Sequence, residues 1–577
     1  MLRRPFFSIL LLCSVLSATA QAPLESLSQD YWQLSDRQSI VWDVTQEDRL
    51  PHQENIEMAG RKVAAILYYD IDENKKLSVS RDVIFPQLRT FNKSDEPDWK
   101  KYRAYFRRTV SDDIAPRIHL GNKIINPSFV DSIEIAGQLI VYHRPVDSLQ
   151  IVRSFYPSMQ DRFLVEQWDL INLGTQEKVI DIAHCRLQQQ ELGYKGRYAF
   201  EVFSKGAEQI RLAPRQSFSF PLYFGARYQE EKVEDFDFQK AKRKREEFLR
   251  SMQAHLILET PDPVLNQLFY FSKIRAAENI FDSSMGLVHS PGGGNYYVGV
   301  WANDQVEYSG PFFPYLGYEP GNIAAYNTYR QFQKHIPEGD GSIPYAFEVD
   351  GNFSMEHLDR GDAAMIAYGT THYLLASGNR SQAQEVWPLV EWALDYCHRK
   401  RNAAGVVLSE SDEMEGRIPT GKANLSTSSL YYGGLKLSAR LAKVLGYPGK
   451  SRIYESRRLE MEKAIEQYFG ASMEGLDTYK YFEENKYLRH WICLPLCMGI
   501  TQRQEGTLKA LFDKLWTENG ILVELRYDEK ATTTFWDRAT LYALRGAMKT
   551  GAGSLALDKL ETFSRKRLLG DHVPYVV

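Results

Sequence analysis

Between Val407 and Leu430 the chain places Glu410, Asp412, Glu413 and Glu415 within six residues. Gly416, Pro419 and Gly421 interrupt the stretch, and an apolar-periodic segment begins at Lys422, so a loop between two helices is expected rather than a solvated helix face. Carboxylates held close raise one another's pKa, and a carboxyl that keeps its proton near neutral pH can serve as a general acid. A solvated acidic turn has the same composition, so the surrounding chain has to decide between the two.

Other chemistry-bearing residues fall in neighbouring loops. Ser290-Pro-Gly-Gly-Gly294-Asn-Tyr-Tyr297 precedes Trp301-Ala-Asn-Asp304, and Asp340-Gly-Ser-Ile-Pro344 leads to Asp359-Arg360-Gly-Asp362. The glycine run is not a phosphate loop, because it lacks the Lys-Ser/Thr ending and no strand leads into it. Neither the histidines nor the cysteines stand at zinc-ligand spacings. No zinc site is therefore expected. Cys493 and Cys497 lie one helical turn apart among Trp491, Ile492, Leu494 and Leu496, which suits buried apolar side chains.

From Thr260 onward, apolar residues recur at helical spacing. The expected segments are Val264 to Phe281, Asp304 to Leu316, Asn322 to His335, Asp362 to Leu375, Gln382 to His398, Asn424 to Leu445 and Ile453 to Phe469. Leu488 to Gly499, Thr507 to Trp516, Thr534 to Met548 and Ser554 to Leu568 follow. Gly317, Gly378, Gly446 and Gly551 stand where left-handed C-caps belong. About eleven helices in consecutive hairpins predict an all-α toroid. Residues from about 28 to 235 read instead as strands, among them Ile133 to Tyr142, Ile151 to Tyr156, Phe163 to Trp168 and Val179 to Ile182. Their spacing predicts a large antiparallel sandwich. Gln239 to Met252, basic and poor in apolar residues, predicts a solvated linker helix. The expected organisation is a leader over 1–20, a β-sandwich over 21–235, a linker helix over 236–258 and a helical domain over 259–577.

The 577 residues suffice for more than one domain, and a net charge of −4 gives no electrostatic footprint for nucleic acid. Arg3 and Arg4, the apolar run Pro5 to Leu16 and Ala18-Thr-Ala20 have the form of a secretory signal cut after Ala20, which implies a periplasmic or secreted protein. The apolar run is too short to span a membrane, and no later stretch does so.

Taken together, three segments resemble the six-hairpin glycosidase superfamily, whose catalytic domain is an (α/α)6 barrel. Trp301-Ala-Asn-Asp304, followed by Leu316-Gly-Tyr318, resembles the Trp-x-Arg-Asp segment of glucoamylase-like glycoside hydrolases. Gly341-Ser-Ile-Pro344 before Asp362, then Ala376-Ser-Gly-Asn379, Trp387-Pro388 and Gly405, looks like the next hairpins. Asp412-Glu413-Met-Glu-Gly416, with Ser426 and Ser428 beyond, resembles their Trp-Glu-x-x-Gly segment. The resemblance covers most of Pro261 to Leu569, and a preceding sandwich fits the same architecture. It implies an N-terminal all-β sandwich plus a C-terminal (α/α)6 toroid, with carbohydrate as the partner.

The resemblance implies Glu413 as the general acid that protonates the glycosidic oxygen, with Trp301 and Asp304 holding the sugar. Asp362 can accept hydrogen bonds from sugar hydroxyls and Arg360 can donate them. Asp359, Glu410 and Glu415 complete the candidate substrate-binding set. Asp304 and Asp362 also stand at helix starts, where Asp caps well. Asn303 replaces the family's Arg and Asp412 its Trp, so the sugar need not be glucose. For the base there are two readings. Ala531-Thr-Thr-Thr-Phe-Trp-Asp537 resembles the Ala-Thr-Thr-x-Trp-Glu segment of α-L-rhamnosidases, which makes Asp537 the base. The glucoamylase-like pattern instead puts the base in a loop before the final helix, past Val577. On that second reading the toroid lacks its last helix, and the first helix exposes an apolar stripe including Leu268, Phe271 and Ile274.

The implied function is an exported, inverting, exo-acting glycoside hydrolase with no metal or organic cofactor. Two alternatives stand beside it. One is a polysaccharide lyase or unsaturated-glucuronyl hydrolase, for which His289, Tyr296 and Tyr297 are the candidates. The other is a catalytically inactive glycan-binding protein.

Overall fold

The computed structural model describes residues 30–90, 105–232, 236–296, 299–348, 358–414, 417–528 and 534–571. The expected leader, Glu415, Tyr297 and the Ala531-Thr-Thr stretch lie outside these residues, as does the side chain of Tyr296.

The N-terminal region is all-β and antiparallel. A nine-stranded sheet runs in the order Gln33–Ser35, Ser39–Asp43, Val130–Ile135, Leu139–His143, Leu149–Pro157, Phe163–Asn172, Ser217–Tyr228, Gly196–Ser204, Arg186–Gly193. Its spine is the long central pairing, Leu149↔Asn172 to Pro157↔Leu164, continued by Phe163↔Gly225 to Ile171↔Ser217. A second sheet of His52–Ala59, Ala64–Ile71, Leu77–Arg89 and Tyr105–Ser111 shares its core. A third joins Gln209–Leu212, Lys178–Ala183, Arg117–Leu120 and Lys123–Ile125. β-Branched and aromatic residues such as Ile66, Val83, Phe155, Trp168 and Phe224 are fully buried, the burial expected of layered sheets.

Among the described residues, thirteen α-helices follow: α1 Phe238–Ala254, α2 Pro263–Ala277, α3 Gly293–Tyr296, α4 Gly310–Leu316, α5 Glu319–Lys334, α6 Asp362–Ser377, α7 Arg380–Arg399, α8 Leu425–Leu445, α9 Pro448–Phe469, α10 Cys493–Met498, α11 Gln504–Lys509, α12 Asp537–Lys549 and α13 Gly553–Leu569. Most overlap the expected segments, but α3 matches none, Phe281 and Trp516 fall in short strands, and Ala302–Ser309 and Ala510–Leu515 are π-helical. Gly317, Gly378 and Gly446 do adopt left-handed C-caps. α4, α6, α8, α10 and α12 pack successively side by side as an inner layer. α6 and α8 are buried almost all round, because Ala, Gly, Ser and Thr there let neighbours approach from every side. α7 instead buries one stripe, Ala383, Val386, Val390, Ala393 and Cys397, and belongs to an outer layer.

Two expectations need correction. The linker helix is not simply solvated. Phe248, Leu249 and Met252 of α1 are buried, and the buried Arg245 donates to Gly137 O across the sheet and pairs with Glu278 at the end of α2. One face of α1 therefore seals the joint between the β and helical regions. Nor does the first helix expose its stripe: Phe271 and Ile274 are wholly buried, Leu268 is partly buried, and α13 packs against α2.

Candidate active site

The N-terminal ends of the inner helices gather at one end of the helical region, and the candidate residues sit there. Before α4, residues Ala302–Ser309 form a π-helical turn. Such turns widen the helix and often mark functional sites. Here it aims Asp304, Glu307 and Tyr308 together. Gly369 of α6 makes room for it, since a Cβ there would stand 1.9 Å from Val306 O.

The acidic loop lies across the start of α8. Asn424 caps α8 on Thr427 N, and its amide donates to Ser409 Oγ and Ser411 O, so the cap also shapes the loop. Asp412 turns away from Glu413: it accepts from Met414 N at 2.8 Å and from the Tyr481 hydroxyl. The Glu413 side chain is wholly buried, with Ser426 Oγ 3.4 Å from Oε1 and Arg538 Nη1 2.9 Å from Oε2.

Arg538, in the first turn of α12, ties the cluster together. Its other amino group donates to Asp304 Oδ1 at 2.5 Å and to the Tyr308 hydroxyl at 2.8 Å, and its guanidinium lies 4.7 Å from both the Tyr308 and Trp536 rings. Behind it, Glu307 accepts from the Tyr542 hydroxyl and lies within hydrogen-bond reach of Glu413. Burial pushes Glu413 above its ordinary value; Arg538 pulls it back, and Asp412 adds a smaller upward push. Glu307 stands well above its ordinary value, from burial first and the Glu413 charge second. Asp412 therefore contributes to the elevation expected from loop neighbours, but burial supplies most of it, and Glu307 of the π-turn lowers Glu413 through a hydrogen bond.

The remaining candidates form a second group beside the first. Gly361, at φ 81°, presses the start of α6 onto Thr427 of α8; a Cβ there would meet Thr427 Oγ1 at 2.4 Å. Asp362 is not the N-cap but holds Arg360, accepting from its backbone N–H at 3.0 Å and its guanidinium at 2.9 Å. Arg360 lies 4.4 Å over the Tyr345 ring, and Tyr345 stacks on the buried Trp301 at 5.3 Å. Asp359 accepts from the Tyr396 hydroxyl at 2.6 Å, and burial raises its carboxyl. The exposed Glu410 ties this loop to the acidic one, donating its N–H to Asp359 O and accepting from Asp359 N. Asp304 does not cap its turn either, since its carboxylate serves Tyr308 and Arg538.

Asp537 is placed differently. Both carboxylate oxygens bond to Arg567, at 2.7 and 2.9 Å, and the side chain is 52% exposed. One residue along α12, Arg538 faces Glu413, so this helix brings a cation to the cluster. His289 is buried under the π-turn, bonded to Gln305, and burial lowers it to about 4. Glu307, Tyr308, Tyr481, Arg538 and Tyr542 are the residues that sequence reasoning missed. The Asp304–Glu307 spacing was the one local signal for any of them. Among the described residues no group of three or more His, Cys, Asp or Glu could hold a metal ion, and no helix is long and apolar enough to cross a membrane.

No family description and no curated protein matches the chain. Among solved structures, a bacterial glucoamylase complexed with acarbose aligns over 95% of this chain and 93% of its own, at 10% identity and a TM-score of 0.53. A rhamnosidase from Klebsiella oxytoca with rhamnose bound aligns over 89% and 87%, at 10% identity and 0.41. A family GH78 rhamnosidase of Bacillus sp. GL1 aligns over 74% and 43%, at 12% identity and 0.42. At such identities the likeness is one of fold alone: the chain shares the fold of the bacterial glucoamylase, β-sheet-rich at its N-terminal end and helical beyond.

Proposed function

We propose that this chain is an exported glycoside hydrolase, exo-acting and inverting, that cleaves oligo- or polysaccharides in an (α/α)6 domain with Glu413 as general acid. The observation that carries the reading is the wholly buried Glu413 carboxyl, raised by burial, beside Asp304 and Arg538, which remain 16% and 14% exposed at the same end of the inner helices. In this reading Oε2 is occupied by Arg538, and Oε1, 3.4 Å from Ser426 Oγ, carries the proton to the glycosidic oxygen. The C–O bond breaks as the leaving oxygen takes that proton, a water on the opposite face bonds to the anomeric carbon and gives its own proton to a base, and Arg538 meets the charge left on Glu413. Asp304, Arg360 and Asp362 offer polar contacts to sugar hydroxyls, and the Trp301–Tyr345 pair walls the second group. The Asp537–Arg567 pairing weighs against Asp537 as the base. The leader-like N-terminus supports export. Release of reducing sugar from a panel of aryl glycosides and oligosaccharides, compared with Glu413→Gln, tests the reading.

One observation favours a second reading. Arg538 sits on the Glu413 carboxylate as an ion pair, an arrangement that also suits a catalytically inactive glycan-binding protein. Saturable oligosaccharide binding by calorimetry, with no product from any panel member, selects that reading.

A further inference from the structure

The polar cluster holds more carboxyl groups than its cation can balance. Asp304, Glu307 and Glu413 surround Arg538, which bonds directly to Asp304 and Glu413. Glu307 is reached by the Tyr542 hydroxyl at Oε1, while Oε2 is buried with no donor to satisfy it. The Glu413 carboxyl, which brings only acceptors when ionised, lies within hydrogen-bond reach of the Glu307 carboxyl. Two ionised carboxylates cannot share such a contact in a buried site; a proton between them turns repulsion into a hydrogen bond.

We infer that Glu307 is a positioning residue for Glu413: the two carboxyl groups hold a single proton between them, carried on Glu307 in the free protein and donated to the Glu413 carboxylate. The inference deepens the glycoside hydrolase reading and, for its catalytic consequence, rests on it. The groups facing the pair are Arg538 and Tyr542 from α12, Asp412 from the acidic loop, Tyr481 ahead of α10, Cys493 of α10, Tyr368 of α6, and Asp304 and Tyr308 of the same π-turn. Arg538 is the one cation among them. Burial raises both glutamates and all four tyrosines, so the tyrosines stay neutral donors. Adding a second charge to the pair would leave three carboxylates against one guanidinium, and the pair therefore keeps its proton well past the ordinary carboxylate range. When substrate binds, the proton passes from Glu307 to the Glu413 carboxylate, and the Tyr542 hydroxyl holds the charge left on Glu307. Glu413 then gives the proton to the glycosidic oxygen as the C–O bond breaks, and water returns one to the pair afterwards.

The test has two arms. In infrared spectra at pH 7, the protonated-carboxyl C=O band is expected to lose one group in Glu307→Gln and to keep it in Glu413→Gln, where the buried Glu307 still holds its proton. In the pH–rate profile, the alkaline limb of Glu307→Gln is expected to move down by about one pH unit or more, because Glu413 then titrates alone beside Arg538. Tyr542→Phe, which removes a hydrogen bond to ionised Glu307, is expected to move that limb upward and serves if Glu307→Gln does not fold. An unchanged infrared band in Glu307→Gln overturns the shared proton. A band that behaves as expected in a protein that hydrolyses nothing leaves the pair standing and overturns the glycosidase reading. A band that behaves as expected with an unmoved alkaline limb overturns the positioning role.

Discussion

Two largely buried ionic clusters, in the β and helical regions of the molecule, show what charge balance does to chemistry. In the β region, Arg81 and Arg153 grip Glu166 and Asp112, with contacts of 2.6 to 2.7 Å from each guanidinium to each carboxylate. Two cations meet two anions. Burial pushes Asp112 upward, but Arg153 and Arg81 outweigh it and hold the carboxyl well below its usual range. Asp112 therefore stays ionised near neutrality. In the helical region a single guanidinium serves three carboxyls, and the excess appears as the raised Glu307 and Glu413. Balanced burial locks structure; unbalanced burial stores a proton. That imbalance is the reason the proposed site is placed in the helical cluster.

The comparison is broken most severely by Glu413→Gln. It is expected to lower turnover by about 10²–10⁴-fold while leaving the melting transition in place, since the amide keeps the shape and loses the proton. Near-wild-type turnover on an unactivated glycoside would remove Glu413 as the acid. Glu166→Gln should do the reverse: two buried arginines left with one carboxylate cost about 3–5 kcal/mol in denaturant unfolding, and any surviving folded protein keeps its kcat.

The pH dependence of stability sharpens the contrast, because the two clusters have opposite signs. Asp112 is depressed in the folded state, so its contribution is present above the ordinary carboxylate value of about 4 and lost as pH falls below it. Glu307 and Glu413 are raised, so their burden is absent in acid and grows as pH climbs from about 4 toward their folded values. Asp112→Asn should therefore destabilise by about 1–3 kcal/mol at pH 7 and by less at pH 3. Glu307→Gln should stabilise by about 1 kcal/mol or more at pH 8, a gain that vanishes at pH 4. Denaturant midpoints across this range check both signs together.

Smaller effects refine the helical side. Asp304→Asn keeps the shape but weakens the bridge from Arg538 and Tyr308, and is expected to raise KM about tenfold, or about 1.4 kcal/mol. A lower melting temperature with unchanged kinetics would return Asp304 to a purely structural role. Asp537→Asn removes only a half-exposed pair with Arg567 and should cost about 0–1 kcal/mol of stability. A rate loss as deep as that of Glu413→Gln would instead make Asp537 the base.

The architecture was written in local patterns. Helical periodicity in segments such as Gln382 to His398, and glycine at Gly317, Gly378 and Gly446, depend on neighbours three or four residues away, so they survive without tertiary information. Glu413 was legible too, because its acidic loop stands out in composition. α1 misled because its charged sequence hides a buried face: Arg245 is an exposed-type residue until Gly137 and Glu278, far away in sequence, close around it.

The sequence by itself determined the order of strands and helices, the loop that carries Glu413 and the small residues that let α6 and α8 lie buried. Only the tertiary structure decided which charges meet. Asp537 and Arg538 are neighbours in sequence, yet roughly 100° apart around α12, and that rotation sends Asp537 to Arg567 and Arg538 to Glu413. Glu307 reaches Glu413 because a π-turn on one segment packs against a loop more than a hundred residues later. Burial and electrostatic pairing are properties of distance in space, and a single sequence records that distance only where it coincides with distance along the chain.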